Sequence, residues 1–338
     1  MHMTNPLLLA GSRTRAYTTM PSPHSSSPPS PSRPSPMPSS PSSSFLSSAS
    51  RLWRTSRAGD YLGLLLLALS NATLFIAEPF HRMFTIDDPR LKFPHAKVER
   101  VSVPYLLVLS ILVPLCVIIA WTGVLQKGKP FLQSSLLGLG NSLLLASFIT
   151  DFIKQAVGRP RPDLIDRCQP REDTPHNQLV DFKVCYQTNH HILHDGFRSF
   201  PSGHSSTAFA GLLYLSLFLA GQFFVFRPGG DLARACAAFS ATVLAAYIAL
   251  SRLEDYRHDY ADVAVGSWIG IICAIFSYRR YFHPLRSVRC NEPYKVIPLS
   301  QDENGYEGVK GEDHDDEDEE MRGRRGRLSD IEMGMVRG

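Results

Sequence analysis

Charge is scarce through the middle of this 338-residue chain: charged residues make up 20% of the whole and hydrophobic ones 44%, yet mean hydropathy is only -0.08. That average conceals segregation, because the polar residues collect at the two ends. Cysteine is sparse too. Six thiols cannot staple a chain of this length, which excludes a disulfide scaffold. Collagen and a wholly disordered chain are excluded by composition. Neither charge sign prevails, since 35 basic and 31 acidic residues leave a net charge of +4, and that balance gives no reason to expect a nucleic-acid partner. Charge is absent altogether from the leucine-rich run 61–77, which a soluble core rarely demands. Cys116, Cys236 and Cys273 lie inside apolar runs, where a thiol acts as a small hydrophobe.

Residues 1–56 hold no acidic side chain, and 21–41 are almost entirely Ser and Pro. Such a segment buries too little apolar surface to offset its ordering entropy, so 1–57 is expected to be a disordered tail. An acid-free terminus with Arg and Ser also fits a mitochondrial transit peptide, but its proline density opposes the amphipathic helix such a peptide needs. The apolar stretch 6–10 is too short for a signal-peptide core. Ser22, Ser27, Ser30, Ser35 and Ser40 each precede Pro and would suit a proline-directed kinase. A second tail, 285–338, is acidic over 312–320 and then basic at Arg322, Arg324, Arg325 and Arg327; it reads as solvated and disordered. Cys290, close after the last apolar run, is a candidate for palmitoylation.

Six apolar segments lie between the tails, at 61–77, 103–122, 132–153, 203–226, 232–251 and 262–282. Each is close to the ~20 residues that cross a ~30 Å hydrocarbon core as a helix. The expectation is an all-α polytopic membrane protein, with a six-helix transmembrane domain over 58–284. An even number of spans puts both tails on one side, and puts loops 78–102 and 154–202 on the other with the turn 252–261. Positive residues beside the tails (Arg51, Arg54, Arg57, Arg279, Arg280) suit a cytoplasmic side, but the opposite loops are basic too, at Lys154, Arg159, Arg161, Arg198 and Arg252; the tails are expected to be cytoplasmic if that second set serves chemistry rather than topology. The Asn71 sequon falls inside the first span, where no glycan is expected.

Three polar clusters fall on the side opposite the tails. In the first, Lys154 ends the third span, and Gly158, Pro160 and Pro162 break the helix so that Arg161 swings back toward it. A basic end to a span is the plain alternative. The second, Pro201-Ser202-Gly203-His204, opens the fourth span: Ser caps, Gly admits close approach, and the helix start favours an anion beside His204. The third holds Ser251, Arg252, His258 and Asp262, with His258 and Asp262 spaced to share a helix face. A carboxylate on one imidazole nitrogen leaves the other free as nucleophile or base. A charged turn is the alternative, but it leaves unexplained why two histidines and three cations gather at one membrane face. Together the clusters form a phosphate cradle with two histidines.

This pattern resembles the type 2 phosphatidic acid phosphatase superfamily, which includes the lipid phosphate phosphatases. Lys154, Arg161, Pro162, Pro201, Ser202, Gly203, His204, Ser251, Arg252, His258 and Asp262 match its three motifs in order. Residues 84–89, Phe-Thr-Ile-Asp-Asp-Pro, look like the fungal diacylglycerol pyrophosphate phosphatase branch. The resemblance implies that His258 is the nucleophile, Asp262 its partner and His204 the acid, with Lys154, Arg161, Ser202, Gly203 and Arg252 binding phosphate. It also implies a site on one membrane face, facing the lumen, without Mg2+ or another cofactor. The substrate would be phosphatidate, lysophosphatidate or diacylglycerol pyrophosphate, in a vacuolar or Golgi membrane. Sphingoid-base and polyprenyl phosphates stay open, because the motifs read only phosphate. A soluble vanadate haloperoxidase conflicts with six spans. A noncatalytic scaffold conflicts with intact motifs, and a transporter with charges at helix ends rather than the midplane. Cys168 and Cys185 could pair in an oxidising lumen. His176, His190, His191 and His194 share a loop, but nothing there completes the usual spacing of a metal site, and none is expected. Oligomeric state is left open.

Overall fold

The computed structural model describes residues 56–295. Both expected tails lie almost wholly outside them. In chain order the helices are α1 (Ala58–Ile76), α2 (Val103–Val124), α3 (Lys129–Val157), α4 (Leu164–Cys168), α5 (His190–Asp195), α6 (Gly203–Gln222), α7 (Leu232–Glu254) and α8 (Tyr260–Tyr281). Six of these, all but α4 and α5, are long and apolar enough to cross a membrane. No strand occurs among the described residues, only isolated bridges such as Phe84 with Val180. The chain is an all-α membrane protein with six spans.

The boundaries have local causes. Pro104 and Pro130 occupy first turns, where a missing N–H costs nothing. At 29 residues, α3 is about 43 Å long, so its last turns, with Asp151 and Lys154, rise beyond a ~30 Å hydrocarbon core. It stops at Gly158, which is left-handed (φ 57) and donates its N–H to Lys154 O at 3.2 Å. Phe80 O lies where a side chain on Gly158 would be, so any other residue there meets both strain and a clash. The fourth span ends at Gln222, before the expected 226: Phe224 turns left-handed (φ 54), and Phe226 packs on Phe239 at 6.0 Å instead of extending the helix toward Pro228. The fifth span continues past 251 to Glu254, which places Arg252 in a helix rather than a turn.

Outward side chains such as Leu65, Phe75, Val243, Trp268 and Ile272 are more than half exposed, as a lipid-facing surface requires. Lipid removes the usual drive for apolar burial, so close packing and interhelical hydrogen bonds hold the bundle. Ser142 Oγ donates to Ala210 O at 2.7 Å, Asn141 Nδ2 to Ser277 Oγ at 2.9 Å, and Tyr214 Oη to Ser135 O at 2.9 Å. Bonds of this kind contribute about 0.6 kcal/mol each. Asn71 joins them, its Nδ2 on Leu144 O at 3.2 Å, which ties α1 to α3. Cys290, read as a lipidation candidate, is fully buried with its thiol on Gly221 O, so it offers no face to an acyl donor.

At one end of the bundle the two long loops build a cap with its own core. Phe84, Ile86 and Leu91 from the first loop pack with Leu164, Val180, Leu193 and Phe197 from the second. Cys168 and Cys185 form a disulfide within it. A bridge across 17 residues contributes about 3 kcal/mol through the unfolded chain. Cys168→Ser should therefore lower the thermal unfolding midpoint of detergent-purified protein by several degrees, and added reductant should do the same to the parent. An unchanged midpoint in both would show that the bridge carries no stability.

Candidate active site

Four helix ends converge beneath the cap, those of α3 and α7 and the starts of α6 and α8. Ser202 caps α6, its Oγ accepting from Ser205 N at 3.4 Å, and its own N–H donates to Asp262 O at 2.9 Å. That bond docks the start of α6 on the first turn of α8. The fit is tight: Ser202 O lies where a side chain on Gly266 would be, so only glycine lets the two helices meet there. Lys154, from the last turn of α3, lies over Gly203, and a methyl group on that residue would come within 3.2 Å of Nζ.

Arg252 is buried in the last turn of α7. It donates to Ser251 Oγ from Nε at 3.3 Å and Nη2 at 3.2 Å, to Glu99 Oε2 from Nη1 at 2.8 Å, and to Asp255 Oδ2 from Nη2 at 2.8 Å. Arg161 follows the break after α3 and donates to Asp195 Oδ1 at 2.8 Å; Arg167 reaches the other oxygen of that carboxylate at 2.8 Å. Desolvation alone would raise the Asp195 carboxyl, but Arg161 and Arg167 hold it well below the usual carboxylate range. It is an anionic brace that aims two guanidiniums.

His258 departs from the expected helical pairing. It precedes α8, whose N-cap is Asp259, with Asp262 closing a capping box back onto the Asp259 N–H at 3.0 Å. The i to i+4 spacing still brings the pair near, with His258 Nδ1 3.7 Å from Asp262 Oδ2, longer than a hydrogen bond. The Asp262 oxygens are held elsewhere: Arg159 Nη1 donates to Oδ1 at 2.7 Å and Ser199 Oγ to Oδ2 at 2.5 Å. Burial pushes the His258 imidazole down to about 4, against the pull of Asp262 and with Arg161 adding to the effect. It is therefore neutral at pH 7.

His258, His204, Arg161 and Arg252 line one cavity of about 310 Å³, together with Glu99 and Arg257. Four of the eight residues expected to form the site thus share a wall, and Lys154, Ser202, Gly203 and Asp262 stand at the helix ends behind it. Glu99 is the unforeseen member. Its carboxylate accepts from Arg252 at 2.8 Å and Arg257 at 2.9 Å, and lies 3.8 Å from His204 Nε2. A larger space of about 790 Å³ also reaches His258, and its lining mixes apolar side chains such as Leu91, Phe93 and Tyr256 with the cations Arg82 and Arg90. Two guanidiniums gripping one carboxylate beside a histidine make an anion site of phosphate character.

Sequence reasoning missed Glu99, Arg257, Asp195, Arg159 and Ser199. Only Arg159 left a local signal, as the first of two successive Arg-Pro pairs. The others come from loops and turns whose placement depends on the cap.

Comparison with known proteins identifies the family. The model of the PAP2 superfamily matches residues 135–285. Diacylglycerol pyrophosphate phosphatase 1 of Saccharomyces cerevisiae is 41% identical over 265 residues, covering 77% of this chain and 90% of its own length. Probable diacylglycerol pyrophosphate phosphatase 1 of Schizosaccharomyces pombe is 39% identical, with 74% and 89% covered. Probable lipid phosphate phosphatase 4 of Arabidopsis thaliana is 35% identical, with 77% and 80% covered. No solved structure is significantly similar. The chain belongs to the PAP2 superfamily, the type 2 phosphatidic acid phosphatases, and is a membrane-spanning phosphatase.

Proposed function

We propose that the protein hydrolyses phosphatidate, lysophosphatidate and diacylglycerol pyrophosphate without Mg2+, through a phosphohistidine, on the lumenal face of a vacuolar or Golgi membrane. The observation that carries the reading is the placement of His258 and His204 on one cavity with Arg161 and Arg252. With Nδ1 turned toward Asp262, His258 presents Nε2 to phosphorus. An N–P bond forms as the P–O bond to the lipid breaks, and His204 gives the departing oxygen its proton. Water then attacks phosphorus, returns a proton to His204 and releases phosphate from His258. Lys154, Arg161, Arg252, Ser202 and the start of α6 at Gly203 hold the phosphoryl oxygens throughout. The larger space, lined by apolar side chains and by Arg82 and Arg90, suits a lipid bearing a second phosphate. The Cys168–Cys185 bridge supports a lumenal cap and cytoplasmic tails.

Phosphate release from each lipid in EDTA, set against a sphingoid-base phosphate and a polyprenyl pyrophosphate, tests the reading. Release from phosphatidate and diacylglycerol pyrophosphate should survive the chelator and exceed the others. Loss of activity in EDTA, or preference for a sphingoid or polyprenyl substrate, would overturn it.

Glu99 gives a finer prediction. Its carboxylate occupies the guanidiniums a phosphate needs, so substrate must displace it. Glu99→Gln should lower KM for phosphatidate and strengthen inhibition by inorganic phosphate, each by about tenfold, which is one charge-assisted hydrogen bond of roughly 1.5 kcal/mol. A higher KM would mean that Glu99 positions Arg252 and Arg257 instead of competing for them.

A further inference from the structure

We propose that Glu78, His81 and His194 form a zinc-type cation site in the cap, apart from the arginine-lined cavity. The three come from distant segments: Glu78 lies just past the end of α1, His81 in the first loop and His194 in α5. One donor atom of each lies within 4.8 Å of the others, and His194 Nε2 is 3.4 Å from Glu78 Oε1. Ligands at about 2.0–2.2 Å in a tetrahedron stand about 3.3–3.6 Å apart, so this pair already has the spacing of a ligand edge. His81 needs only a small approach to complete the face.

An ordinary surface ion pair between His194 and Glu78 would explain that one contact, since Glu78 is largely exposed. It does not explain His81. The Nε2 of His81 is buried with no hydrogen-bond partner, while its ring is fixed by stacking on Phe182 at 4.3 Å and edge contact with Phe197 at 4.9 Å. A buried imidazole nitrogen held rigidly and left unpaired beside a second imidazole and a carboxylate has the character of a ligand. Two imidazoles and one carboxylate select zinc over calcium or magnesium, which prefer all-oxygen shells. A cavity of about 350 Å³ that Glu78 and His194 line leaves room beside the triad for a water as fourth ligand. Arg198 opposes the cation nearby, but its guanidinium is tied to Ala77 O at 2.7 Å. A metal here would fasten the end of α1 to α5, the helix that carries Asp195.

The full-length protein in detergent, stripped by chelator and dialysed, should bind one equivalent of zinc in competition with a chromogenic chelator. His81→Ala and His194→Ala should each weaken binding roughly a hundredfold, and Glu78→Gln, at an exposed position that leaves the fold intact, at least tenfold. His176→Ala, whose ring pairs with Asp87 at 3.0 Å, should bind as the parent does. Cobalt in place of zinc should give the visible absorption of a four-coordinate ion, lost in both histidine variants. No zinc bound by the parent would overturn the proposal. So would an affinity unchanged in folded Glu78→Gln and His81→Ala protein, or one weakened equally by His176→Ala.

Discussion

His258→Ala should abolish phosphate release, by roughly 10⁶-fold, the scale on which loss of a covalent nucleophile is felt. The variant has no nitrogen to accept phosphorus, so acid-labile labelled protein should vanish with the activity. His204→Ala should behave differently. It removes the proton donor for the leaving oxygen, a loss of about 10²–10⁴ with a lipid alcohol. An aryl phosphate such as 4-nitrophenyl phosphate leaves with little help, so the His204 variant should keep far more activity on that substrate and should still label. Equal losses on both substrates would sink the division of roles. Stability offers a separate reading of His258. Its folded value of about 4 lies below the ordinary 6.5, so between those values the unfolded chain binds the proton that the native site refuses. The native state therefore gains stability as pH rises through that window and loses it as pH falls. His258→Ala removes one group from that linkage, and the dependence of its unfolding midpoint on pH should be shallower than the parent's.

How much of this was legible in the sequence depends on the distance over which each feature is decided. The six spans were, because a continuous apolar run carries its own reason to be a helix in lipid. Their ends shifted by a few residues where a backbone event intervened, as at Phe224, or where polar side chains tolerate helix beyond the hydrocarbon, as at Lys154 and Glu254. The pocket residues were legible as a group, because their types and spacings gather histidines and cations at one end of the spans, and four of them do share one cavity. The braces were not. Asp195 reaches Arg161 and Arg167 only because Leu193 and Phe197 pack against Phe84 from another loop. Glu99 reaches Arg252 across 153 positions of sequence. His194 was visible as one of four histidines in its loop, yet its partners His81 and Glu78 lie beyond any spacing rule. His258 shows the opposite failure: the i to i+4 rule found the right neighbour, while Asp259 as N-cap put His258 outside the helix that the rule assumed.

Asp262→Asn should reduce kcat by about 10²–10⁴ with little change in KM, because the carboxylate acts on the nucleophile and not on the lipid. The buried carboxylate joins three tasks in two oxygens. Oδ1 accepts from Arg159, Oδ2 accepts from Ser199 and the Asp259 N–H, and Oδ2 is also the group nearest His258 Nδ1. An amide keeps the volume but turns one acceptor into a donor, which faces either Arg159 or the Ser199 and Asp259 donors. Breaking a fully buried pair costs about 3–5 kcal/mol; Arg159 is one-third exposed and keeps Asp259 at 2.7 Å, so the loss here should be nearer 2 kcal/mol. Arg159→Met separates the structural task from the chemical one. It leaves the carboxylate to His258, so it should lower the unfolding midpoint as Asp262→Asn does while retaining most of kcat. Trapped phosphohistidine should fall in Asp262→Asn and persist in Arg159→Met. Equal losses of kcat would make Asp262 a helix cap whose effect on His258 is indirect. A large loss of kcat in Asp262→Asn alone, with its unfolding midpoint no lower than that of Arg159→Met, would make it the group that holds Nδ1 of the nucleophile, because a comparable midpoint leaves the Ser199 and Asp259 bonds too little disturbed to account for the loss.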